Sequence, residues 1–129
     1  MNIVTFRGYK VSECSFVNKY ENGQKVEFEN SYSYSVRYNS GNGCIGQITV
    51  DSHDKAQPEK FGIKIVLEGI FSFDTSQPKE KIHVQSFKEL FPFARAFVST
   101  VSTAAGIPPI IIPPFDIEGQ SIYKVEKNI

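Results

Sequence analysis

The most regular stretch of the chain lies between Val26 and Tyr38. Val26, Phe28, Tyr32, Tyr34, Val36 and Tyr38 fall on one parity, and Lys25, Glu27, Glu29, Ser31, Ser33, Ser35 and Arg37 on the other. A strand buried on one face requires this, because successive side chains point to opposite sides of a sheet. Ser40-Gly41-Asn42-Gly43 supplies an Asn-Gly turn, and Ile45 to Asp51 reads as the returning strand of a hairpin. After a polar, Pro-containing link at Ser52–Glu59, Phe61, Ile63, Ile65, Leu67, Phe71 and Phe73 repeat with period two and predict another long strand. A further strand, within Ile3–Val17, alternates less cleanly; a bulge near Gly8-Tyr9 accounts for the slip in parity, and Asn22-Gly23 provides the turn after it.

Beyond these strands the period changes. Phe87, Leu90, Phe91, Ala94, Val98, Val101 and Ala105 recur at three- and four-residue steps, which places them on one helix face, and Ser86-Phe87-Lys88-Glu89 has the form of a capping box. Pro92 falls inside this pattern, either as a kink or as the first-turn residue of a helix that starts there. Gly106 stops the helix and Pro108-Pro109 prevent its continuation. Asp116–Asn128 has room for about two or three helical turns. Strands first and helix afterwards define an α+β domain: a four-stranded antiparallel sheet, then one main helix and a short C-terminal helix or tail, with helices on one face.

At 129 residues the chain is read as a single domain over 1–129, able to bury roughly 65–70% of the surface of its unfolded form. Fourteen basic and fourteen acidic residues cancel, so no net field draws the protein to nucleic acid or to anionic membranes. Met1-Asn2-Ile3-Val4-Thr5-Phe6-Arg7 is not a signal sequence and no apolar run reaches membrane-spanning length, so membrane insertion is not expected and the compartment expected is the cytoplasm. Near-zero charge with 13% aromatic residues favours self-association. Cys14 and Cys44, too few for a disulfide framework, are expected as reduced, half-buried strand residues.

Several motifs resemble chemistry without supplying it. Gly41-Asn42-Gly43-Cys44-Ile45-Gly46 matches G-x-G-x-x-G but leads into a strand, whereas a dinucleotide site needs a helix N-terminus there. Asp51-Ser52-His53-Asp54 has the residue types of a hydrolase triad on consecutive positions, which point in different directions; it reads as a polar turn. His53 and His83 are read as solvated linker residues, His83 within the lysine-rich link Gln77–Gln85, and neither has a ligand set around it. Glu27 and Glu29 belong to a solvated sheet face. No catalytic residues, cofactor or metal site are expected, and the chain is not read as an enzyme.

The remaining feature is the run Ile107-Pro108-Pro109-Ile110-Ile111-Ile112-Pro113-Pro114-Phe115. It is either a buried crossover whose side chains complete the core, or one wall of an open groove lined by Ile107, Ile110, Ile112, Phe115 and Ile117. Prolines hold extended backbone at low entropic cost, so such a wall would be preorganised for apolar segments.

Gly69-Ile70-Phe71-Ser72, Leu90-Phe91-Pro92-Phe93-Ala94-Arg95, Gly106-Ile107-Pro108-Pro109 and Pro113-Pro114-Phe115 together resemble the second half of the SecB family of protein-export chaperones, and Tyr9–Phe16 is similar to the family's first strand. The resemblance implies ATP-independent holding of unfolded polypeptide and assembly as a dimer or as a homo-tetramer built as a dimer of dimers. It places Phe6 and Phe16 with the isoleucine run in the client groove, and Leu90, Phe91, Phe97, Val98 and Val101 on an oligomer-interface helix. Export members dock the motor SecA through acidic residues on the solvated sheet face and a C-terminal tail; Lys64 near one such acid and the short run after Phe115 count against SecA as a partner. The family also includes chaperones dedicated to a single client such as an antitoxin. A non-catalytic oligomeric scaffold, with the isoleucines used purely for packing, is the further alternative.

Overall fold

The structure, a computed structural model, describes residues 3–21 and 25–113. Strands β1 (Val4–Asn18), β2 (Phe28–Tyr38), β3 (Gly43–Asp54) and β4 (Phe61–Phe73) are followed by one long helix, α1 (Lys79–Ala104). The sheet is antiparallel throughout, in the order β1-β4-β3-β2. β2, β3 and β4 form a meander and β1 returns beside β4, so the β1–β2 connection passes from one edge of the sheet to the other. This is the expected α+β architecture. The predicted C-terminal helix or tail at Asp116–Asn128 and the turn at Asn22-Gly23 lie outside the described residues.

Alternation decides which side chains enter the core. Ile48 and Val50 of β3 and Ile63, Ile65, Leu67 and Phe71 of β4 are all buried beneath α1. β1 loses its alternation because its register against β4 slips twice, between Phe6 and Gly8 and again between Val11 and Glu13. Each slip inserts one residue and inverts parity. Phe6, Tyr9, Val11, Cys14 and Phe16 consequently share the helix side, opposite Phe71, Gly69, Leu67, Ile65 and Ile63.

Four local expectations are corrected. Asp51–Asp54 is not a turn: paired with Phe28–Ser31 it continues β3, with Ser52 and Asp54 on the buried side and Asp51 and His53 on the other. The Ser86 capping box is not used, because the helix starts at Lys79 and Ser86 is buried in its interior, accepting a 2.6 Å hydrogen bond from the Tyr34 hydroxyl and donating to the His83 carbonyl at 3.1 Å. His83 is a core residue rather than a solvated one, packed edge-on against Tyr34 at 5.0 Å, and burial lowers its pKa below the ordinary histidine value. The polar look of Gln77–Gln85 comes from Lys79, Glu80 and Lys81, which face water while Ile82 and His83 face the sheet. Cys14 is exposed and Cys44 buried, instead of both half-buried, and burial pushes the Cys44 thiol up to about 11.

Ile82, Ser86, Leu90, Ala94, Val98 and Ser102 are buried at steps of four, and each step turns the covered face by about 40°. The helix therefore packs on Tyr34 near its start and on the isoleucine run near its end. Pro92 lies within the helix on its solvent side, where water can serve the carbonyl that its missing N–H leaves behind. Close approach of the layers depends on Gly46 and Gly69, paired across β3 and β4. A Cβ at Gly69 would come within 2.8 Å of Leu90 Cδ1, and one at Gly46 would collide with the Tyr34 hydroxyl.

Candidate functional site

The isoleucine run leaves α1 through a defined helix end. Gly106 has φ +87°, its N–H bonds the Thr103 carbonyl at 3.1 Å and the Ile107 N–H bonds the Ser102 carbonyl at 3.2 Å, the paired arrangement that closes a helix at a left-handed glycine. Two helix serines then grip the backbone of Ile110. Ser102 Oγ accepts its N–H at 2.8 Å, and Ser99 Oγ donates to its carbonyl at 2.9 Å. With Ile110 fixed in extended chain, neighbouring side chains diverge: Ile110 and Ile112 point inward, at 8% and 1% exposure, and Ile111 points outward at 64%.

Ile110 and Ile112 thus complete the core; Ile110 also lines the cleft beside the run, whereas Ile112 is buried away from it and the expectation that it lines an open groove is corrected. Both readings of the run hold in part, because alternate residues of one extended segment do different jobs. Phe115 and Ile117 lie outside the described residues.

The outward side of the run forms one wall of a cleft of about 460 Å³, where Ile107, Pro108, Pro109 and Ile111 face Tyr20, Val26, Phe28 and Phe61. Phe61 is the hub of the opposite wall, with the rings of Phe28, Phe16 and Tyr20 at 5.6, 5.9 and 6.3 Å. The Tyr20 hydroxyl donates to the buried Asp54 carboxylate. That bond holds the Asp54 carboxyl below its usual range and is the main cause that pushes the Tyr20 phenol up to about 12.

Phe16 packs against the cleft residue Phe61 without lining the cleft itself, and Phe6 lies away from it. Phe6 opposes Phe71 and Phe16 opposes Ile63 on β4, a separation of roughly 26 Å at strand rise. Phe6 instead stacks on Phe93 of α1 at 5.1 Å, with Tyr9 at 4.8 Å from Phe93, and this second apolar patch is partly open, Tyr9 and Phe93 being 45% and 38% exposed.

The proposed interface helix is also corrected in part. Leu90, Phe91 and Val98 are buried within the chain's own core and cannot meet another copy, whereas Phe97 and Val101 are partly exposed. Helical periodicity identifies an apolar face but not the surface that covers it. On the opposite side of the sheet, Glu68 is held by Arg37 at 3.3 Å, Lys10 at 3.6 Å and the Gln47 amide at 3.1 Å, and Lys64 pairs with Glu13 at 3.5 Å. That face is charge-balanced rather than acidic. Among the described residues there is no His, Cys, Asp and Glu cluster fit to hold a metal, and no helix long and apolar enough to cross a membrane.

The sheet order, the one long helix among the described residues lying over one face, and the apolar run clamped beyond it define an α+β domain of the SecB-like fold. The Mycobacterium tuberculosis SecB-like chaperone Rv1957, solved with a peptide from the HigA1 antitoxin, superposes with a TM-score of 0.70 over 87% of this chain and 90% of that one, at 10% identity. In sequence, the chain is 31% identical over 103 residues to the protein-export protein SecB of Rhodopseudomonas palustris and 27% identical over 90 residues to that of Bradyrhizobium diazoefficiens. Each alignment covers 64% of this chain, and the chain spans 62% and 55% of those two proteins. The uncharacterized protein MJ0357 of Methanocaldococcus jannaschii is 27% identical over 123 residues, 88% of this chain and 79% of that protein. No family model matches. The fold is SecB-like, and the low-identity likeness to two SecB proteins supports reading the chain as a divergent relative of that family.

Tyr20, Val26, Phe28 and Phe61 are cleft residues that sequence reasoning did not assign. Their signal was available as aromatic and aliphatic residues at the ends of strands, where a sheet face passes beyond the helix that covers it.

Proposed function

We propose that this protein is a chaperone that holds non-native polypeptide, without nucleotide or cofactor, in the cleft between Ile107–Ile111 and Phe61. The observation that carries this reading is the cleft itself: an open, largely apolar surface that Asn18 and Glu21 also line, with one wall proline-stiffened and clamped by Ser99 and Ser102 and the other built from Tyr20 and Phe28 packed on Phe61. Exposed apolar surface of this kind marks a binding site, and weak contacts there together with the Phe6–Tyr9–Phe93 patch supply avidity along one extended client. In this reading the protein works in the cytoplasm as a dimer or tetramer, with Phe97 and Val101 among the residues joining copies. The test is aggregation of an unfolded model client: the protein suppresses it at stoichiometric ratios and Ile111→Asp does not. Failure of the parent protein to suppress aggregation or to bind unfolded peptide overturns the reading.

A dedicated client is favoured over general export by the charge-balanced outer face, where Glu68 is already engaged by two cations, and by the likeness to a chaperone solved with an antitoxin peptide. Purification from the native cell then yields one small partner at stoichiometric amount; a broad set of unfolded clients, or capture by SecA, supports export instead.

A further inference from the structure

We propose that Tyr20 is a positioning residue of the cleft: the bond from its hydroxyl to Asp54 holds its ring parallel to that of Phe61, so that the aromatic wall exists before polypeptide arrives. The inference rests on the reading of the cleft as the polypeptide site.

Tyr20 stands just beyond the end of β1. Its backbone is fixed there by the Lys19 N–H, which bonds the Lys60 carbonyl at 2.8 Å, and by its own N–H, which bonds Asn18 Oδ1 at 3.1 Å. Its ring runs within 12° of parallel to that of Phe61, offset with centroids 6.3 Å apart, and the residue lines the cleft. Stacking alone leaves a half-exposed phenol free to leave for another rotamer, because an aromatic pair contributes only about 0.5–1.5 kcal/mol beyond its buried area. The hydroxyl removes that freedom. Asp54 is itself immobile, being 4% exposed at the end of β3, with its other oxygen accepting the Ala56 N–H at 3.3 Å.

One side chain therefore ties the exit of β1, the end of β3 and the first residue of β4. A neutral phenol donating to an ionised carboxylate is a charge-assisted bond, stronger than a neutral pair. The directions in which the two groups' titrations are displaced, Tyr20 upward and Asp54 downward, keep the donor protonated and the acceptor ionised at neutral pH. The consequence for binding is kinetic. A wall populated only part of the time lowers the encounter-competent fraction, and apparent affinity falls by that fraction.

The experiment is stopped-flow association of a fluorescein-labelled, aromatic-rich unfolded peptide with the parent protein, Tyr20→Phe, Asp54→Ala, the double variant and Ile111→Asp, each shown folded by circular dichroism. Tyr20→Phe keeps the ring and removes only the tie. Its association rate is expected to fall on the order of tenfold with dissociation little changed, and the double variant is expected to be no slower than Tyr20→Phe, because both changes break one interaction. A purely structural role would lower the melting temperature and leave the association rate alone, which overturns the proposal. If Tyr20→Phe does not fold, the same rate comparison is made with Asp54→Ala, which leaves the Tyr20 hydroxyl without its acceptor. If Ile111→Asp also leaves binding unchanged, the cleft is not the polypeptide site, and both this inference and the functional reading fall.

Discussion

Replacing Ser102 by alanine removes one of the two serine contacts that grip the isoleucine run, at a residue that does not itself line the cleft. The Ser102 side chain is fully buried, and its hydroxyl does two things at once. It accepts the Ile110 N–H at 2.8 Å and donates, at 3.0 Å, towards the Val98 and Ser99 carbonyls. The helix carbonyls keep their own ladder partners in the variant, so the loss concentrates on the Ile110 N–H, left buried without an acceptor. An orphaned buried donor costs about 1–3 kcal/mol, offset by about 0.5 kcal/mol from the better helix propensity of alanine. The expected net destabilisation is about 0.5–2.5 kcal/mol, which at a urea slope of about 2 kcal/mol/M moves the unfolding midpoint by roughly 0.3–1.2 M. Because Ile110 and Ile112 bury side chains worth about 1.5–3 kcal/mol each, the run is expected to loosen locally before the domain unfolds. Hydrogen exchange at the Ile110 amide should therefore accelerate by about tenfold or more, while amides at the centre of β3 and β4 change less. An unchanged midpoint with unchanged exchange at Ile110 would refute the view that the Ser102 hydroxyl helps to fix the run.

Other outcomes follow from the same structure. Gly69→Ala forces a Cβ to within 2.8 Å of Leu90 Cδ1 and should lower stability by about 1–3 kcal/mol in thermal unfolding; adding Leu90→Ala should give a double variant less unstable than the sum of the two. Ile110→Asp buries an unpaired charge and should cost more than about 3 kcal/mol, whereas Ile111→Asp, on a residue 64% exposed, should unfold within about 0.5 kcal/mol of the parent; equal effects at the two positions would contradict the inward and outward alternation of the run. Burial lowers the pKa of His83, so below the ordinary value of about 6.5 the unfolded chain takes up a proton that the folded one refuses. Stability should fall as pH drops through that region, with a slope of at most about 1.4 kcal/mol per pH unit from this group, and His83→Gln should flatten the slope; a slope that persists in the variant assigns it elsewhere.

What could be read from the chain depended on how many surfaces each residue meets. β2, β3 and β4 were legible because one alternating face answers to one core, as Tyr34, Ile48 and Leu67 show. β1 was blurred by two bulges, of which only the first, at Arg7 beside Gly8, left a glycine to mark it. The start of α1 was missed because Lys79, Glu80 and Lys81 gave its opening turns a linker's composition, while Ser86-Phe87-Lys88-Glu89 imitated a cap inside the helix. The isoleucine run was recognised as special, but its division into Ile110 and Ile112 inside and Ile111 outside came from the serine clamp, which joins residues eight and eleven positions apart. The aromatic wall was hidden because Tyr20, Phe28 and Phe61 converge only once three strand ends meet.

The sheet order also governs when the molecule can assemble. β2, β3 and β4 are neighbours in sequence as well as in space, so their contacts close short loops and can form early. β1 has no such partner: Val4 must find Phe73 and Asn18 must find Phe61. On a ribosome β1 emerges first and stays unpaired until β4 has been made. Throughout that interval Phe6, Tyr9, Val11 and Phe16 are themselves an exposed apolar segment, so a protein proposed to shelter unfinished chains passes through the same condition as its clients each time it is synthesised.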